Sequence, residues 1–248
     1  MDLARFVQNI APTTKVYLED SYLKSLDANV VKIAQERNKA YLLLDRTIFH
    51  PKSGGQPSDV GTIEASGFRL DIKRAMLQSG TIIHFGNVEG NAESGPCKCK
   101  LDWATRFLLM RRHTAAHLLD YCLETQTGSR VETTDSWLGD DPYVGYAGTT
   151  PSNLDLEQLQ ELGNDFIQQG LNVEIKTMDM ANAATLIAGA PNLARLPKSE
   201  RLRIVTISGQ IPIPCGGTHV RSLKEIGILK IQKTEAAEAG FRLHFDVK

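Results

Sequence analysis

The sequence predicts an α+β protein in two parts, a strand-rich N-terminal region and a larger unit built round one long buried helix. Short runs of β-branched and aromatic residues, separated by turn material, occupy roughly the first 95 residues. The apolar run that starts near Trp103 is too long for a strand and carries two histidines four positions apart. Beyond it, strands and helices mix without the strict βαβ alternation of a doubly wound sheet.

In the first part, Lys15–Leu18, Asn29–Ile33, Ala40–Asp45, Gly61–Glu64, Phe68–Ile72 and Thr81–Phe85 read as strands, in a small barrel or a sandwich. The polar, Gly-rich run 86–96 sets the expected boundary, giving domains 1–95 and 96–248, with Cys97–Leu101 as the first strand of the second. Asp102 caps a helix from Trp103 to about Glu124, apolar on more than one side and therefore central. Residues 136–150 read as loop or short strand. A second helix spans about Asp155–Gln169, with Leu159, Leu162 and Phe166 inward and Gly170 ending it. Val173–Lys176 is a strand leading to a short helix, 181–188. Arg201–Ile207 alternates as a half-buried strand, and Ile228–Gln232 and Phe241–Val247 close the chain.

Composition bounds the partners. In 248 residues, 28 Lys and Arg oppose 29 Asp and Glu, so no global basic field advertises nucleic acid, and a local patch would have to serve. The chain shows no basic-then-apolar leader and no apolar run long enough for a bilayer, so a cytoplasmic, reducing location is expected. Its four cysteines are then core thiols, ligands or nucleophiles, not disulfides.

The chemistry concentrates in two short motifs. His113-Thr114-Ala115-Ala116-His117 puts two imidazoles on one helix face, half of a tetrahedral metal site. Cys215-Gly216-Gly217-Thr218-His219 offers a thiolate and an imidazole across two glycines that permit a tight turn. Together His113, His117, Cys215 and His219 supply three nitrogens and one sulfur, a set suited to Zn2+. Cys97 and Cys99 lack a second pair or a nearby histidine and read as structural. The helix reads HTAAH and not HExxH, so the general base of the metalloproteases is absent. A catalytic zinc holds three protein ligands plus water, so catalysis would require one of the four to give way.

Met110–Leu119, with Cys215–Val220, resembles the editing domain of alanyl-tRNA synthetases and the free-standing AlaX proteins. Phe49-His50-Pro51-Lys52-Ser53-Gly54-Gly55-Gln56-Pro57-Ser58-Asp59-Val60-Gly61 is similar to that family's Gly-rich segment. The resemblance runs from about Leu42 to Val247. It implies a small β-barrel at 1–95, followed by a zinc-binding editing domain at 96–248 whose HxxxH helix packs on a mainly antiparallel sheet. About forty residues precede the stretch that carries the resemblance, which would leave no place for aminoacylation machinery and suggests a medium-length protein acting in trans.

The implied activity is hydrolysis of mischarged Ser-tRNA(Ala), with Gly-tRNA(Ala) as a second substrate, sparing Ala-tRNA(Ala). By its distance after the helix, Thr134 matches a pocket threonine of the family; read alone, it is a strand threonine with a backbone partner. Gly54, Gly55 and Gln56 would bring backbone amides near the acyl group or the terminal adenosine, or else form a tight turn. Arg111 and Arg112 would contact tRNA phosphates. Two other readings stand beside this one: threonyl-type editing of Ser-tRNA(Thr), and a tRNA- or synthetase-binding module with a structural zinc.

Overall fold

A computed structural model describes residues 1–195 and 200–248. The chain divides into two compact units, Met1–Ser53 with Pro57–Phe107, and Gly54–Gln56 with Leu108–Lys248.

The first unit begins with the one-turn helix α1 (Leu3–Phe6), capped by the Asp2 carboxylate, which accepts from the amides of Ala4 and Arg5. Two short strands, β1 (Thr14–Lys15) and β4 (Arg46–Thr47), pair in parallel outside the main sheet, and residues 16–18 form a 3-10 turn instead of continuing the expected strand. The rest is a closed barrel of β2 (Ser25–Glu36), β3 (Lys39–Leu44), β5 (Gly61–Ala65), β6 (Phe68–Gln78), β7 (Thr81–Gly90) and β8 (Gly95–Leu101). Round the barrel the order is β2-β3-β7-β6-β5-β8, with every neighbour antiparallel. Closure removes the exposed edges of an open sheet.

The interior is filled by Leu42, Leu44, Phe49, Ile63, Leu70, Ile72 and Ile82. Cys97 and Cys99 belong to that core, because alternate residues of β8 face inward. The expected boundary at 95/96 therefore falls inside the barrel: residues 97–101 pair with β2 and β5, and the contact division comes at Phe107/Leu108. A polar, Gly-rich run marks a turn, and nothing local separates a hairpin turn from a linker. Arg106 is buried in this unit, paired with Asp59 and donating to the carbonyls of Ser21 and Ile48.

His84 is another buried polar group of this unit. Its Nδ1 lies 3.2 Å from the Leu42 carbonyl, which can only accept, so Nδ1 carries the proton and Nε2 accepts from the Thr47 hydroxyl at 2.8 Å.

The second unit follows α2 (Trp103–Thr127), whose first turn lies in the first unit. Residues 113–120 are buried without interruption, as expected for a central helix rather than an amphipathic surface one. One antiparallel sheet runs β14 (Leu229–Ala237), β15 (Gly240–Val247), β10 (Tyr143–Ala147), β9 (Thr133–Trp137). A second runs β11 (Val173–Asp179), β12 (Arg201–Ile207), β13 (Ile213–Pro214). Helix α2 reaches the first sheet through Asp120, bonded to Tyr146 of β10, and Arg112, paired with Asp246 of β15.

Helix α3 (Leu156–Gln169) has the predicted start and stop, with Asp155 capping Glu157 and Gln158 and Gly170 left-handed at φ 67°. It docks on β14 where Asn164 both donates to and accepts from the Leu229 backbone. A short helix, α4 (Met180–Leu186), packs on β11 and β12 through Ala183 and Ile187. The fold is α+β as expected. No helix among the described residues is long and apolar enough to cross a membrane.

Burial lowers the His84 pKa from 6.5 to about 4. The unfolded chain therefore takes up this proton first, and stability present above about pH 6.5 is lost as the pH falls toward 4. The loss is on the order of 3 kcal/mol from this residue. Urea unfolding from pH 7.5 to 4.5 should show a flatter acid limb for His84→Gln, which keeps hydrogen-bonding groups but does not titrate. An unchanged slope would remove His84 from the account.

Candidate metal centre

The second unit brings His113, His117, Cys215 and His219 together, their ligand atoms all within 4.8 Å of one another. Two come from one face of α2, as the four-residue spacing requires, and two from the turn after β13. That turn is pinned to β12: the Cys215 amide donates to the Arg203 carbonyl at 2.9 Å, and Arg203 Nη1 donates to the Cys215 carbonyl at 2.7 Å. Cys215 Sγ then lies 3.3 Å from both His113 Nε2 and His219 Nε2.

Hydrogen bonding decides which imidazole nitrogens face the cluster. Gln56 Oε1 accepts the Thr218 amide at 3.1 Å, and Gln56 Nε2 donates to the Thr218 hydroxyl at 2.9 Å, which fixes the orientation of the Gln56 amide. Oε1 also lies 2.8 Å from His113 Nδ1, which must therefore be the protonated nitrogen. A similar argument holds for His219. The Thr114 hydroxyl donates its only proton to the Met110 carbonyl at 2.9 Å, so it accepts from His219 Nδ1 at 3.2 Å and from the Val220 amide at 3.2 Å. In both rings Nε2 is left with its lone pair directed at Cys215.

These residues fit a divalent ion that takes nitrogen and sulfur. Tetrahedral bonds of about 2.0–2.3 Å set ligand atoms roughly 3.5 Å apart, close to the two sulfur–nitrogen separations. The widest separation, 4.8 Å, exceeds that edge, so binding an ion contracts the set. Burial holds the His117 pKa at about 4, with Arg203 adding to the effect, so this ring is neutral and able to ligate. Burial also pushes the Cys215 thiol up, opposed by the Gly217 amide and by Arg203 and Arg195. A cation at the sulfur would reverse that shift and release the proton.

One helical turn beyond His117, Asp120 is buried and receives the Tyr146 hydroxyl at 2.9 Å. Burial raises its carboxyl to about 8, and that hydrogen bond works in the opposite direction.

Two sequence profiles match the chain. One, described as tRNA synthetases class II (A), covers residues 10–104, and the other, described as the Threonyl and Alanyl tRNA synthetase second additional domain, covers 202–242. Alanyl-tRNA editing protein AlaX-M of Methanosarcina barkeri is 30% identical over 94% of this chain and 98% of its own length. This chain belongs to the AlaX family of alanyl-tRNA editing proteins. AlaX-L of Pyrococcus horikoshii is 33% identical over 88% of this chain, which spans about half (53%) of that relative's length. Alanine–tRNA ligase of Methanobrevibacter smithii is 28% identical over 92% of the chain and 26% of its own length. In this chain Cys215 and His219 lie within a matched range, whereas His113 and His117 lie between the two ranges.

The other candidate residues divide. Gln56 joins the centre through its side chain, holding His113, rather than through its backbone amide. Gly54 and Gly55 form a left-handed turn at φ 55° and 82°, with their carbonyls accepting from Ser136 Oγ and the Leu138 amide. A Cβ on Gly55 would overlap Ser136. Thr134 lies on β9 beside Gly145, and its hydroxyl proton goes to Asp135. Arg111 donates twice to the Ile226 carbonyl, and Arg112 pairs with Asp246 and donates to the carbonyls of Leu138 and Gly139. Both guanidinium groups thus bond to groups of the fold.

Thr114, Thr218 and Arg203 also shape the centre, and the sequence carries no signal that marks them. The first two adjoin ligands in sequence, but spacing does not say which neighbour turns inward.

A Cβ on Gly217 would overlap the His113 ring, while one on Gly216 meets open space. Gly217→Ala should lower the unfolding free energy by about 1–3 kcal/mol, and Gly216→Ala by less than about 0.5 kcal/mol. Chemical denaturation of the two variants checks this; equal effects would refute the close approach.

Proposed function

We propose that the chain is a zinc-dependent aminoacyl-tRNA hydrolase that clears mischarged tRNA(Ala) in trans. Its main substrate is Ser-tRNA(Ala), with Gly-tRNA(Ala) second and Ala-tRNA(Ala) spared. The observation that carries this reading is the convergence of His113, His117, Cys215 and His219, with two imidazole tautomers set for ligation, in a chain of the AlaX family. The tRNA partner follows from the names of the relatives and the matched synthetase-related segments.

The reaction adds water across the ester. A bond forms between the water oxygen and the acyl carbon, the bond from that carbon to the ribose oxygen breaks, and a proton ends on the ribose. Zn2+ at the four residues would supply Lewis-acid polarisation of a carbonyl or of a water. Gln56 and Thr114 hold the His113 and His219 imidazoles in place, so those two rings keep their orientation during the reaction. Helix α2 has no glutamate between its histidines to act as base.

Selection of serine over alanine requires one hydrogen bond to the substrate hydroxyl, and a site built round that bond discriminates strongly. Thr134 remains the candidate: with its proton on Asp135, its oxygen is available as an acceptor.

Deacylation of Ser-, Gly- and Ala-tRNA(Ala), and of Ser-tRNA(Thr), should be measured on one zinc-loaded preparation with its metal content determined. Release of serine from Ser-tRNA(Ala) at least tenfold faster than from Ser-tRNA(Thr) is expected. His113→Ala or Cys215→Ala should lower kcat by 100-fold or more while tRNA binding persists. A binding module with a structural zinc would instead show no hydrolysis, and a threonyl-type enzyme would reverse the tRNA preference.

A further inference from the structure

The three histidines of the cluster are held unequally. His113 is anchored by Gln56 and His219 by Thr114, whereas among the described residues no protein group hydrogen-bonds to His117. A ligating imidazole ordinarily donates its second N–H to a carboxylate, a carbonyl or a water.

His117 opens instead onto a small cavity of about 20 Å³, room for a single water. Pro191, Ile211 and Ile213 form its apolar wall, and Asp120, Gln210 and Glu124 its polar side, Glu124 already accepting from the Val131 amide. Gln210 Nε2 is buried and meets no acceptor. Asp120 uses Oδ1 to accept from Tyr146, and its Oδ2 has no partner among the described residues. Two donors and one acceptor therefore converge on a space the size of one water. That water can accept from both donors and donate to the carboxyl, three hydrogen bonds in all, the usual number for a buried water.

We propose that this cavity binds one ordered water that joins His117 to Asp120 and Gln210 and completes the support of the third histidine. Asp120 and Gln210 are thereby positioning residues acting on His117 through the water, and neither touches substrate. The inference rests on the metal-site reading above, since its consequence is read in how tightly the four ligands hold an ion. The residue spacing conceals it: Asp120 follows His117 by one turn of α2, but Gln210 arrives from the turn between β12 and β13.

The test combines zinc affinity with direct observation of the water. Zn2+ affinity of the whole chain is measured by competition with a chromogenic chelator, for the unsubstituted protein, Asp120→Ala and Gln210→Met. Removing an outer partner of a ligand typically weakens binding by about 10–100-fold, and that loss is expected for Asp120→Ala. Gln210→Met should lose a smaller factor, about threefold to tenfold by the same reasoning.

Asp120→Ala also strips Tyr146 of its partner and can lower folding stability. Gln210→Met is therefore the decisive variant, because it removes a donor that bonds to nothing in the fold. The metal-free Gln210→Met protein should unfold at the same denaturant concentration as its parent. In the zinc-loaded protein, the His117 ring resonances in long-range 1H–15N spectra should shift on Gln210→Met, while those of His113 and His219 stay in place.

A high-resolution crystal structure should place one water within about 3.2 Å of the His117 ring, Asp120 and Gln210. Unchanged zinc affinity and unchanged His117 resonances in both variants would overturn the inference while leaving the hydrolase reading intact. A dry cavity in the crystal would overturn it as well. Failure of the unsubstituted protein to hold zinc at all would defeat both.

Discussion

The Gln56 side chain is the contact on which the centre depends. Its carbonyl oxygen accepts from His113 on α2 and from the Thr218 amide, and its nitrogen donates to the Thr218 hydroxyl. One primary amide thus bonds to both halves of the ligand set, the helix and the Cys215–His219 turn. Glycine at 217 is the steric counterpart of this bridge, since any side chain there would occupy the space of the His113 ring and crowd Gln56. The left-handed turn at Gly54 and Gly55 delivers Gln56 to that position. The tripeptide therefore has a structural purpose that does not require its own amides to meet substrate.

The same economy of groups recurs at Thr114. As the residue next to His113 it could have been a neutral helical filler, yet its hydroxyl joins the Met110 carbonyl, the Val220 amide and His219. Buried polar atoms carry a desolvation cost unless they are bonded, so each of these contacts both satisfies a group and restricts a ring. His117 stands apart from this pattern. Its neighbours are a buried carboxylic acid and an unbonded amide nitrogen round a small cavity, which points to solvent as the third support.

The arginines of α2 show how packing employs charged side chains. Arg106, Arg111 and Arg112 lie on one helix and suggest a phosphate-binding face. Arg106 is instead buried against Asp59, and the other two fasten α2 to backbone carbonyls and Asp246. A guanidinium presents five donors, and carbonyl oxygens at helix and strand ends can accept from them.

Local chemistry made much of the chain legible. Hydrophobic alternation located most barrel strands and β12, and capping residues located the ends of α3. A four-residue helical spacing and a glycine-rich turn named the four residues of the cluster, because backbone periodicity alone places both histidines on one face. What tertiary structure decided is everything that depends on residues distant in sequence. It assigned Cys97–Leu101 to the barrel, because strand pairing partners are chosen by closure and not by the strand itself. It also set the tautomers of His113 and His219, because the acceptors that fix them lie 57 and 105 residues away. The HTAAH helix determined by itself that two imidazoles face one point. Only the fold determined which nitrogens face it, since a proton's position on a ring is set by the partner on its far side.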